Sequence, residues 1–235
     1  MNIVKEILFP RRCPVCDGIV RLGTLVHREC ERKLIKVHGP TCYKCGKELN
    51  DDTMEYCYDC SNRIHYFNEG TALYEYPSVR MSVYGLKYKA RCEYAEYFGR
   101  QMALHFRDRI RKWKPDAIIP VPLHKRKQQI RGFNQAYLLA YYLAKNTQIP
   151  LLNNVVVRSR NTVPMKELDA RQRQINLKKA FNIKQYDVKL KSIVIVDDIY
   201  TTGSTIDEIA YLLKNAGAER VYFITLAIGT GLGDI

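Results

Sequence analysis

The sequence predicts an α/β protein, a parallel sheet flanked by helices, with a small metal-held domain at its N-terminal end. Three observations predict this. Ile193, Val194, Ile195 and Val196 are four β-branched residues in a row between turn formers, as a strand buried on both faces requires. After residue 115 such runs alternate with helical periodicities, the pattern of a parallel sheet with ligands at the strands' carboxyl ends. Seven of the eight cysteines fall between residues 13 and 60 and set that part of the chain apart. The boundary is expected near Asn62, giving domains over 1–62 and 63–235.

The length of 235 residues holds one medium domain and a small one. There is no run of 18 apolar residues, so no membrane span is expected. Residues 1–9 are too short for a signal peptide, and Arg11 and Arg12 stand where a cleavage site would be. A cytoplasmic protein is expected, its cysteines reduced or on metal. The net charge of +14 favours polyanions, either nucleic acid or pyrophosphate-bearing ligands.

The cysteines come in knuckles: Cys13-Pro-Val-Cys16, His27-Arg-Glu-Cys30, Cys42-Tyr-Lys-Cys45 and Cys57-Tyr-Asp-Cys60. Each knuckle puts two ligands on one tight turn, and two knuckles complete a tetrahedron. Sequential pairing gives Cys13, Cys16, His27 and Cys30 around one Zn²⁺, and Cys42, Cys45, Cys57 and Cys60 around another. This is a double zinc ribbon, with iron–sulfur ligation as the alternative. So small a ribbon has little core, and the metal must hold it folded. Gly18 and Gly46 are expected at the sharp turns after their knuckles. Cys92 reads as a buried apolar residue.

Residues 64–75 read as strand or linker. Residues 79–89 form a short basic, aromatic run, followed by a long helix over 90–113. The cations Lys87, Lys89 and Arg91 beside tyrosines permit binding of nucleic-acid phosphates with base stacking. Residues 116–122 form a second buried strand that leaves the sheet at its prolines. A loop then carries Lys125, Arg126, Lys127 and Arg131, of which arginine can clamp phosphate bidentately. A helix opens near Asn134, and residues 151–157 give a third strand. Residues 158–173 have the polar, basic composition of a mobile flap, and residues 221–227 give the last strand.

The stretch 193–205 organises the rest. Its strand ends in Asp197 and Asp198, then Thr201, Thr202, Gly203, Ser204 and Thr205 open a helix marked by Ile206, Ile209, Leu212 and Leu213, with Gly217 as its C′ cap. An ordinary cap needs one short polar residue, but seven of the nine residues from Asp197 to Thr205 are Asp, Thr, Ser or Gly. Carboxylates that take ribose hydroxyls beside a loop and helix N-terminus that take a phosphate suit a sugar phosphate. Two like charges at a strand end repel, so their removal is expected to be neutral or slightly stabilising in the absence of ligand.

This stretch resembles the phosphoribosyl pyrophosphate (PRPP) motif of type I phosphoribosyltransferases. With the paired knuckles, Leu86-Lys-Tyr-Lys89, Val121-Pro-Leu, Arg131-Gly-Phe-Asn-Gln135, Thr162 ahead of Leu168, Arg173 with Asn176, and Ala180-Phe181, nearly the whole chain resembles the ComF family (ComFC-like competence proteins). Two positions depart from the family pattern: Met165 where glutamine is usual, and His27 where cysteine is commoner. The resemblance implies a type I phosphoribosyltransferase-like fold. It implies Asp197 and Asp198 on the ribose 2- and 3-hydroxyls, residues 201–205 on the 5-phosphate, and Arg126 and Arg131 among the cations on pyrophosphate, with Mg²⁺ between. It also implies a factor of natural transformation that binds PRPP and handles incoming single-stranded DNA beside a ComFA-type helicase. The alternative is an active phosphoribosyltransferase of unknown acceptor in nucleotide or purine metabolism.

Overall fold

A computed structural model describes residues 9–159, 180–184 and 190–229. Four parallel strands form the main sheet in the order β1-β6-β5-β2: β1 (Glu69–Glu75), β2 (Ala117–Pro120), β5 (Ser192–Tyr200) and β6 (Arg220–Ile228). The register sets Ile118 opposite Val194 and Asp197 opposite Thr225. β3 (Val156–Arg158) and β4 (Phe181–Ile183) form a separate antiparallel pair.

Alternation along β5 sends its residues into two cores. Ile193 and Ile195 pack with Ile206, Ile209 and Leu213 of the helix Ser204–Asn215, and with Cys42, Cys45 and Cys57 of the ribbon region. Val194 and Val196 pack with Leu86, Phe98, Trp113 and Leu139. Those four residues come from α3 (Tyr76–Tyr88), α4 (Tyr94–His105), α5 (Arg107–Trp113) and α7 (Gln135–Thr147). The other helices among the described residues are α1 (Arg28–Glu31), α2 (Tyr58–Ser61), α6 (Lys125–Arg131) and α8 (Ser204–Asn215). None of the described helices is long and apolar enough to cross a membrane.

The ribbon region is joined to the sheet through backbone. Val37 N donates to Leu73 O at 3.1 Å and Glu75 N to Ile35 O at 3.0 Å, so residues 35–37 cover the outer edge of β1. Gly70 N donates to Lys44 O at 2.8 Å. Gly46 has φ 74°, and a Cβ there would come within 2.8 Å of Gly70 O, so the tight turn and the close approach both demand glycine.

Several expectations are corrected. The helix over 90–113 is two helices: Ala90 at φ 52° sits in a turn ahead of α4, and Phe106 separates α4 from α5. The basic run before it is α3, with Pro77 in its first turn. The loop after β2 contains α6, capped by the His124 side chain and closed by Gly132 at φ 79°. The strand over 151–157 divides: Leu151 bridges Ile118 in parallel, whereas Val156 and Val157 turn away into the antiparallel pair. Cys92 is exposed, because it lies in the turn that interrupts the expected helix. At the turn after the first knuckle the left-handed residue is Asp17 (φ 59°), one position before Gly18. Gly18 is a matter of space, since a Cβ there would come within 3.3 Å of Cys16 Sγ. The expected flap lies outside the described residues from residue 160 onward.

Candidate functional site

Asp197 and Asp198 stand at the carboxyl end of β5, and Asp198 N donates to Asp197 Oδ1 at 2.8 Å. Asp198 is 5 % exposed and forms an ion pair at 2.5 Å with Lys87 Nζ, which arrives from α3. The two carboxyls therefore titrate apart. Burial, and then the charge of Asp198, hold Asp197 well above the usual carboxylate range. Burial also opposes ionisation of Asp198, but the Lys87 ammonium outweighs it and the carboxyl falls below that range. Burial would push Lys87 down, yet Asp198 keeps its ammonium above its ordinary value.

Two further cations, Arg131 and Arg158, feel this pair, and Lys127 lies beside them. Burial and the charges of Arg158, Arg131 and Lys87 lower Lys127, which places all four in one field. Arg158 is lowered by burial and partly restored by Asp197. The Arg131 guanidinium lies 5.3 Å from the centre of the Tyr88 ring and donates to Gln135 Oε1 at 3.1 Å. Asn134, the N-cap of α7, donates to Val121 O at 2.9 Å and pins the Arg131–Gln135 turn to the end of β2.

The loop after β5 supplies the other half of the site. Gly203 takes φ 76° as N-cap of α8, and no side chain caps that helix end. Its leading N–H groups and dipole are thus presented outward. Thr202 Oγ1 and Ser204 Oγ lie 3.0 Å apart across the loop. Beneath it the Tyr200 ring stacks on Phe223, with centroids 4.7 Å apart and planes at 3°, and Phe67 meets both edge-on. A Cβ on Gly203 would come within 2.5 Å of the Tyr200 hydroxyl. Asp207, in the first turn of α8, is turned aside: its carboxylate lies 2.5 Å from His65 Nδ1 and accepts from Tyr66 N at 3.0 Å.

The expected site residues separate into groups. Asp197, Asp198 and Arg131 gather at one strand end with the 201–205 loop following β5, whereas Arg126 is exposed on α6 and Lys127 is turned toward the other cations. Lys87, expected on nucleic acid, belongs to this site. Arg91 is tied to Asp17 of the first ribbon by Nε–Oδ1 at 2.8 Å, and Lys89 approaches the same carboxylate at 3.9 Å. Arg158 carried no ligand role in the sequence reading, because it opened the expected flap. Lys87 was legible as a cation, but its target lies 111 residues further along the chain.

The knuckles converge in the two expected quartets. Ligand atoms of Cys13, Cys16, His27 and Cys30 all lie within 4.8 Å of one another, as do those of Cys42, Cys45, Cys57 and Cys60. Bonds of about 2.3 Å to a tetrahedral zinc imply sulfur–sulfur edges of about 3.7 Å, and Cys45 Sγ and Cys57 Sγ are 3.6 Å apart. His27 Nδ1 lies 3.3 Å from Cys16 Sγ, while Nε2 lies 2.9 Å from Ile19 O, the outward anchor that orients a metal-binding imidazole. Both donor sets fit one zinc ion each.

Comparisons with known proteins agree with this geometry. Residues 4–61 match the double zinc ribbon domain and residues 102–231 the phosphoribosyl transferase domain. Competence protein F of Haemophilus influenzae is 32% identical over 218 residues, covering 84% of this chain and 94% of that protein. The chain belongs to the ComF family of competence proteins. DNA utilization protein YhgH of Escherichia coli K12, 34% identical over 90% of this chain and 94% of its own, is another relative of this ComF protein. Competence protein ComFC of Bacillus subtilis is 27% identical over 84% of this chain and 81% of its own. A purine phosphoribosyltransferase structure from Pyrococcus horikoshii covers 56% of this chain and 74% of that one, at 20% identity and a TM-score of 0.37.

Proposed function

We propose that the site at the end of β5 binds PRPP with Mg²⁺, and that the protein uses it while handling single-stranded DNA during uptake. The observation that carries the first part is the unequal carboxyl pair, Asp198 buried and Asp197 half-buried. Asp198 is neutralised by Lys87, whereas Asp197 forms no close ion pair with lysine among the described residues, and burial and the charge of Asp198 raise its carboxyl well above the usual range. A carboxyl in that condition gains most from a ligand offering hydroxyls or a metal, and the strand end offers it beside an uncapped helix N-terminus. The two carboxylates would take the ribose hydroxyls and residues 201–205 the 5-phosphate. Lys127, Arg131 and Arg158 would offset the pyrophosphate charge. Asp197 and Asp198 would help to hold Mg²⁺ bound with the ligand, which would supply charge neutralisation to the pyrophosphate.

The DNA role is supported by relatives named for competence and DNA utilization and by the charge of +14. A cytoplasmic ComFA-type helicase would deliver the strand. Ligand-induced stabilisation is the direct test: PRPP with Mg²⁺ should raise the melting temperature of the wild type and leave Asp197→Ala unmoved. An equal shift in both proteins would remove the acidic pair from the site. The match to the phosphoribosyl transferase domain favours a second reading, transfer of the phosphoribosyl group, which requires pyrophosphate release once an acceptor is supplied.

A further inference from the structure

We propose that Tyr84 and Tyr88, with Arg131 and Lys89, form a stacking platform for the bases of a single-stranded nucleic acid at the lip of the phosphoribosyl site. The proposal rests on the reading above and adds where the strand meets that site. α3 has two working faces within one turn. Lys87 turns inward to Asp198, while Tyr84 and Tyr88 stand 47% and 61% exposed, their rings 5.1 Å apart and inclined at 46°. A tyrosine that serves the core hides its ring, as Tyr94 and Tyr97 do in the next helix at 3% and 4% exposure. Among the described residues the ring contacts of the pair are with each other and with two cations.

The surroundings identify the occupant. Lys89 Nζ lies 6.0 Å from the Tyr84 ring centre, and the Arg131 guanidinium lies 5.3 Å from that of Tyr88. Arg131 forms no close ion pair with a carboxylate among the described residues; it meets the Tyr88 ring and Gln135. Rings flanked by cations complement a ligand with flat bases and a negative backbone, and they do not complement an apolar peptide. Bases of any sequence can stack on tyrosine while lysine and arginine hold the phosphates. Because Arg131 borders both the Tyr88 ring and the cation field around Asp197, a stacked base lies next to the bound phosphoribosyl group.

Fluorescence anisotropy tests this with a labelled oligothymidylate and an abasic oligonucleotide of equal length. Tyr84→Ala with Tyr88→Ala should weaken oligothymidylate binding about tenfold or more, as the loss of stacking predicts, and leave abasic binding unchanged. Tyr84→Phe with Tyr88→Phe should bind like the wild type, because the ring is needed and the hydroxyl is not. Unchanged oligothymidylate binding by the alanine variant, or equal loss of both oligonucleotides, overturns the platform. So does competition by thymidine monophosphate at the same concentration as the oligomer, which would make it a mononucleotide subsite. The PRPP-induced melting shift is read on the same samples. Its absence in the wild type refutes the phosphoribosyl reading, whereas its presence beside unaltered oligonucleotide binding refutes the platform alone.

Discussion

Adjacent carboxylates in one buried site need not share a fate, and Asp197 and Asp198 do not. Lys87 holds Asp198 ionised, so that carboxyl contributes stability above the unfolded value of about 3.9, which is lost as pH falls through its lower folded value. Asp197 has the opposite sign. Its raised folded value penalises the native state at neutral pH, and the penalty fades as pH falls through that value toward about 3.9. The expectation that losing the pair is neutral or stabilising therefore needs correction, since it holds for one member only. Asp197→Asn should raise the melting temperature of the ligand-free protein at pH 7, by about 2–4 °C per kcal/mol relieved, and converge on the wild type below about pH 4. Asp198→Ala should lower it, because removing one partner of a buried pair typically costs about 3–5 kcal/mol. Melting curves across pH decide both. Gly203→Ala should be harmful on two counts, its φ of 76° and the 2.5 Å approach of its Cβ to the Tyr200 hydroxyl. A cost of about 1–3 kcal/mol and loss of the PRPP shift are expected in thermal melts.

The two ribbons are alike in sequence and unlike in attachment. Cys42, Cys45 and Cys57 share the core that contains Phe67, Tyr200 and Phe223 beneath the phosphate loop, whereas Cys13 and Cys30 share a small cluster with Val20. The first ribbon meets the helix-side core only at its margin, through the partly buried Val15, Leu25 and Val26, and adds polar contacts such as Tyr94 Oη to Asp17 Oδ1 at 2.6 Å and Arg11 with Glu96 at 2.5 Å. Elemental analysis should find about two zinc ions per chain. Cys16→Ser should remove one and spare the PRPP-induced shift. Cys45→Ser should remove the other, lower the melting temperature of the whole protein and diminish that shift; equal effects of the two substitutions would sever the second ribbon from the loop. Elements of this kind were legible where the signal was local. The four knuckles, the β-branched run into Asp197 and the helix opening at Ser204 each occupy a short window of sequence. The break at Phe106, the helix at Lys125–Arg131 and the reach of Lys87 to Asp198 were not. A buried phenylalanine between two helices looks like one more apolar helix position, a basic run before a glycine looks like loop, and an ion pair across 111 residues leaves no trace in either neighbourhood.

At the scale of the whole molecule, not all of the 38 Lys and Arg residues are free to meet nucleic acid. Lys87 is spent on Asp198, Arg91 on Asp17, Arg109 on Glu69 and Lys47 on Asp59. Charge reversal across Lys87, Lys89 and Arg91 would therefore disturb the phosphoribosyl site and the seat of the first ribbon together, and a loss of DNA binding would not show phosphate contact. Lys125 and Arg126 are cleaner probes, because both are exposed on α6 beyond the cations that face Asp197. Each phosphate contact to a single strand contributes about −0.7 to the slope of log affinity against log salt. If α6 lies along the strand's path, Lys125→Glu with Arg126→Glu should make that slope shallower by about 1.4, while the melting temperature and the PRPP-induced shift stay put. An unchanged slope with weakened binding would mean that the substitutions act through long-range repulsion and that the phosphates run elsewhere. A lost PRPP shift would return Arg126 to the pyrophosphate, where the resemblance had put it.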